Sequence, residues 1–125
     1  GQFCIGANIY EAEAVFDEMS RTEWNAVREE TLAYVDELRE AGVLLDAQPL
    51  RSATSATTLK VRDGRLSFTD GPFTESKEQL GGYFLIDVPD LDAAIRIAAK
   101  WPGARFGEIE LRPVEETLRP EGRYR

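Results

Sequence analysis

Gly82-Tyr83-Phe84-Leu85-Ile86-Asp87-Val88 decides the fold, because its apolar residues run almost without a break instead of alternating. An alternating strand buries one face, whereas a continuous apolar run is the pattern of a strand buried on both. Pro89 ends the run, and Asp90 is placed to cap a following helix whose inner face is expected to carry Leu91, Ala94, Ile95 and Ala98. Beyond Trp101-Pro102-Gly103, residues Phe106 to Arg112 alternate, with Ile109 and Leu111 facing inward and Glu108, Glu110 and Arg112 outward, which predicts a last strand. The chain then turns charged: residues 1–114 read as one domain and 115–125 as a charged tail.

Towards the N-terminus, the central run is preceded by Gly81 and by a polar segment, Phe73 to Leu80, without a clear period. Before that lies the clearest local feature, a hairpin. Thr57 to Arg62 alternates, Asp63-Gly64 supplies a two-residue turn, Arg65 to Thr69 returns, and Asp70-Gly71-Pro72 breaks the return strand. Ser52 to Ala56 reads as loop and Val43 to Leu50 as a strand. Ser20-Arg21-Thr22-Glu23 is an S-x-x-E capping box, so a long helix is predicted from there to Gly42. Trp24, Val27, Thr31, Tyr34, Val35 and Leu38 form its apolar stripe, on which Trp24 and Tyr34 are expected in the core rather than against a ligand. A short helix around Ala12 to Glu18 and a strand from Phe3 to Tyr10 complete the chain, the strand setting Phe3, Ile5, Ala7 and Ile9 on one face and Cys4, Gly6, Asn8 and Tyr10 on the other.

The order strand, helix, strand, hairpin, strand, helix, strand defines an α+β domain, ferredoxin-like with an inserted β-hairpin. Two helices cover one face of such a sheet. The central strand is apolar on both faces, so its second face also needs cover, and a second copy of the chain is the simplest source. A homodimer with a pocket between sheet and partner is therefore expected.

Composition narrows the function classes. The 125 residues carry 15 Lys and Arg against 23 Asp and Glu, a net charge of −8, which repels phosphate backbones and anionic headgroups. Neither nucleic acid nor a membrane is an expected partner. One cysteine excludes an internal disulfide, and with no long apolar run a cytoplasmic location is expected. The absence of histidine excludes the hydrolase schemes that depend on imidazole, leaving carboxylates, Lys, Tyr, Arg and backbone groups for any chemistry.

Thr69-Asp70-Gly71-Pro72-Phe73-Thr74-Glu75-Ser76-Lys77-Glu78-Gln79-Leu80-Gly81-Gly82-Tyr83, followed by Phe84-Leu85-Ile86-Asp87, resembles the DGPF signature of the YCII-related proteins. Ala41-Gly42-Val43-Leu44, Leu91-Asp92-Ala93-Ala94 and Glu110-Leu111-Arg112-Pro113-Val114 fit the same family. The resemblance implies a dimeric α/β barrel. It implies little about activity, since most DGPF-type proteins are uncharacterised and are often encoded beside sigma-type transcription factors. In enzymes of the broader group a His on the first helix and an Asp before the last strand act together. By spacing those positions fall near Thr31 and Trp101, so neither that pair nor the dehydrochlorinase-like activity of the wider group is carried over.

Among the candidate site residues, Asp70 at a strand end can act as a base if a pocket desolvates it; otherwise it is the acceptor of an Asx-type turn. Lys77, between Glu75 and Glu78, can serve as an electrophile or carboxylate clamp, or as part of a solvated loop. Asn8, Tyr10 and Tyr83 are candidate ligand contacts on the partner-facing side, with satisfied polar groups at a subunit interface as the alternative. Arg105 can hold a substrate carboxylate or, like Arg112, pair locally with Glu108 or Glu110. Gly81-Gly82 is read as permitting close backbone approach rather than as a phosphate loop, and no metal or other cofactor is expected. The functional expectation is an interface pocket for a small polar or aromatic molecule, with Asp70 as base and Lys77 assisting in proton transfer or elimination. The alternative is a non-catalytic accessory or regulatory binding module.

Overall fold

The computed structural model describes residues 3–115. In chain order it comprises β1 (Phe3–Glu11), α1 (Glu13–Asp17), α2 (Arg21–Glu40), β2 (Leu44–Pro49), β3 (Thr57–Arg62), β4 (Arg65–Asp70), β5 (Gln79–Val88), α3 (Leu91–Ala99), α4 (Gly103–Phe106) and β6 (Gly107–Pro113), with a short 3-10 turn at Ala53–Ser55. All but Glu115 of the expected charged tail lies outside the described residues.

The local signals act as their chemistry requires. Ser20 Oγ accepts from the Glu23 N–H at 3.1 Å while the Glu23 carboxylate accepts from the Ser20 N–H at 3.3 Å, a complete capping box at the start of α2. Its other end is closed by Gly42 at φ +73°, with Gly42 N–H bonded to Arg39 and Val43 N–H to Leu38. Asp90 caps α3 through the Ala93 N–H at 2.8 Å. Asp63 and Gly64 both take positive φ, as a turn that matches strand twist demands, and β3 pairs with β4 from Thr57↔Asp70 to Arg62↔Arg65.

The main sheet is four-stranded, in the order β2-β5-β1-β6, and every neighbour is antiparallel. This order interlocks two β–α–β units, each split by a strand of the other, so the fold is α+β as expected. Helices α2 and α3 lie on one face. Beneath them Ile5, Ala7, Ile9, Leu44, Phe84, Ile86 and Val88 form one core cluster with Val35, Leu38, Ala94, Ala98 and Trp101. Trp101 joins the layers: its ring stacks on Phe84 at 4.1 Å and meets Tyr34 edge-on at 5.9 Å, and the Tyr34 hydroxyl donates to the Ile97 carbonyl at 2.7 Å.

Several expectations need correction. Leu91 and Ile95 are half-exposed, because α3 seats itself through the small Ala94 and Ala98, with Ala93 and Ile97 alongside; small residues let the helix approach the sheet closely. β5 begins at Gln79 rather than Gly82, since β1 extends to Glu11 and offers backbone partners to the polar residues. Phe106 belongs to α4, and β6 starts at Gly107, where a Cβ would run into the Tyr10 carbonyl. Trp24, expected in the core, is 46% exposed.

Candidate active site and ligand cavity

The exposure of Trp24 follows from a hollow beneath it. A cavity of about 590 Å³ opens between α2 and the sheet, within the size range of small-molecule sites. Its helical wall is the α2 stripe of Trp24, Val27, Arg28, Thr31, Leu32 and Val35, with Arg39 farther along; its floor is Ile9, Glu11 and the adjoining ends of β2 and β5; Phe16, Trp101 and Phe106 close it. Phe16 and Phe106 lie 5.7 Å apart at a tilted angle, so that end is aromatic on both sides. The cavity is thus on the helix side of the sheet, whereas the sequence pointed to the partner-facing side.

Glu11 is the carboxylate of this cavity. Strand alternation places it there, two residues beyond Ile9 on the face of β1 that meets the helices, and the pairing beside it slips: Ile9 pairs with Gly82 but Tyr10 pairs with Leu80, leaving Gly81 as the extra residue of a bulge in β5. The Glu11 side chain occupies the space that a Cβ on Gly81 would need. Gly82 serves a second close approach, since a Cβ there would lie 2.9 Å from the Gln48 carbonyl oxygen of β2. Partial burial raises the Glu11 carboxyl above its ordinary range, and the neighbouring charge of Glu13 adds to the rise. A carboxylate that holds its proton more tightly is a better base when it is ionised.

Of the candidates named from sequence, only Tyr83 borders this cavity, along the strand that floors it; its side chain alternates with that of Phe84 and turns to the open face, the hydroxyl a long 3.4 Å from the Asp46 carboxylate. Asp70 is exposed at the end of the hairpin, where the turn is closed instead by Gly71 N–H to the Ala56 carbonyl and by the Thr58 hydroxyl to the Gly71 carbonyl; its carboxylate accepts no hydrogen bond among the described residues. Lys77 is exposed and makes no ion pair or hydrogen bond among them. Neither residue lines the cavity. Asn8 donates to Glu110 at 3.3 Å, with Tyr10 on the same open sheet face. Arg105 grips both carboxylate oxygens of Glu30 on α2 at 2.8 and 2.9 Å, and its hydrogen bonds hold the Glu30 carboxyl below the usual range. Arg112 pairs locally with Glu110 at 3.0 Å.

Sequence reasoning missed Glu11 because it sits at a strand end close to Glu13 and reads as a solvated acid; the paired glycines were the available signal. Thr31 and Trp101, onto which the His and Asp of the broader group fall by spacing, both line the cavity. The Thr31 hydroxyl is already committed as a donor to the Val27 carbonyl at 2.8 Å. No cluster of His, Cys, Asp and Glu suited to a metal ion occurs among the described residues, and no helix among them is long and apolar enough to cross a membrane.

Fold and cavity define an α+β domain with a cavity of about 590 Å³ beneath its helix layer. Residues 5–118 match the YCII-related domain, and the chain belongs to that family. An uncharacterised protein of Rhizobium meliloti (strain 1021) is 36% identical over 107 residues, covering 84% of this chain and 86% of its own length.

Proposed function

We propose that the chain binds a small molecule with an aromatic or cyclic body in the cavity under α2, and that Glu11 accepts a proton from it in a proton-transfer or elimination step. The observation that carries this reading is the one desolvated carboxyl set into an aromatic-lined cavity of suitable size. In the step, Glu11 takes a proton from a carbon beside a carbonyl, and the C–H electron pair moves to an enolate or expels a leaving group on the next carbon. The test is deuterium incorporation into cyclic ketones and keto acids, followed by NMR. Exchange above the buffer rate that falls at least tenfold in Glu11→Gln supports the reading; exchange unchanged by the substitution removes Glu11 from it.

A second reading, a binding module without chemistry, is favoured by one observation: at the positions corresponding to the group's His and Asp, the cavity presents a Thr whose proton is engaged and a Trp packed in the core. Binding at the cavity with no exchange of any carbon acid selects it.

Both readings include a homodimer. Its support is apolar surface that a single chain leaves uncovered. On the hairpin, Leu59 opposes Phe68 and Val61 opposes Leu66 on one face, each 55–67% exposed, and an isolated two-stranded ribbon is at best marginally stable in water. The open face of the main sheet adds Tyr10, Tyr83 and Leu85. Two such sheets facing each other make the dimeric barrel that the sequence resemblance implies.

A further inference from the structure

We infer that the cavity selects ligands bearing an anionic oxygen, a carboxylate or an enolate, and that Arg28 is the residue that recognises it. This inference rests on the cavity reading above and adds the charge of the ligand. Arg28 lines the helical wall one turn from Trp24 and one turn from Leu32, while Glu11 lies on the sheet side, so the cationic and acidic groups belong to different walls of an apolar space.

The chain contains 23 acidic residues, yet Arg28 has no ion pair among the described residues. The helix itself explains this. Its neighbours three and four residues away are Asn25, Trp24, Thr31 and Leu32, none of them acidic. The adjacent Glu30 is occupied through both oxygens by Arg105. Arg28 is thus an exposed arginine that lines an apolar cavity and has no acid on its own face of the helix. A planar fork of N–H donors suits a carboxylate or enolate. Thr31 cannot substitute, because its hydroxyl proton is already given to Val27.

The experiment is a calorimetric and NMR titration of the full chain with 2-naphthoate and with its neutral amide, in the unaltered protein and in Arg28→Met and Arg28→Lys. The expected result is at least tenfold tighter binding of the carboxylate, lost in Arg28→Met with the amide affinity unchanged, and partly kept in Arg28→Lys. Equal affinity for acid and amide, or a preference that survives Arg28→Met, overturns the inference and leaves the cavity reading standing. If neither probe shifts the indole signals of Trp24 and Trp101, both fall.

Discussion

At the scale of single residues, the missing side chain of Gly81 leaves the space in which Glu11 lies partly buried. Burial, then Glu13, raises the folded-state pKa of Glu11 above its unfolded value. A raised value means that the contribution to stability is fully present at low pH and is lost as pH rises through the folded-state pKa, where the charge must be desolvated. Gln at this position stays neutral. Glu11→Gln is therefore expected to match the unaltered protein below the ordinary glutamate range of roughly 4 and to become the more stable of the two as pH rises. Urea midpoints across a pH series measure this, and a difference that does not change with pH contradicts it.

At the scale of elements, α2 shows what a capping box contributes. Ser20 and Glu23 satisfy two N–H groups at the start of a 20-residue helix whose inner stripe walls the cavity. Ser20→Ala is expected to cost about 1 kcal/mol, read as a lower urea midpoint with an unchanged slope; no loss would mean that solvent serves that helix end as well. The box, the Asp63-Gly64 turn and the Asp90 cap were legible in the sequence because each is local chemistry between residues a few positions apart. So was the central strand, because burial on two faces leaves a distinct pattern. The cavity was not legible. Trp24 has the spacing of a core residue, yet it borders a cavity whose end is closed by Phe16 and Phe106, which meet from opposite ends of the chain. Nor does the stripe Leu91, Ala94, Ile95, Ala98 reveal that the alanines alone reach the core, since helical spacing gives the face only to within one residue.

For the whole molecule, the uncovered ribbon and open sheet face make association the central expectation. Light scattering over a dilution series is expected to give a dimer mass, and a constant monomer mass would remove the barrel from the proposal. The hairpin's part in it can be separated: with Leu66→Asp and Phe68→Asp together, the core does not change, because β3 and β4 form a sheet of their own. Dissociation without loss of the thermal transition assigns the arm to the interface, whereas a persistent dimer assigns that role to the sheet face.

Trp101 stacked on Phe84 and Trp24 at the cavity wall are the two tryptophans of the chain, 6% and 46% exposed. The protein is thereby supplied with two internal fluorophores in different solvents. Emission from Trp101 follows the packing of the core and the cavity wall it forms, while that of Trp24 follows what enters or leaves on the exposed side of the same space. With Trp24→Phe, light from the remaining indole reports the core side of the cavity, and subtracting it from the parent spectrum isolates the helix wall, so a ligand search can proceed without a label or a known reaction.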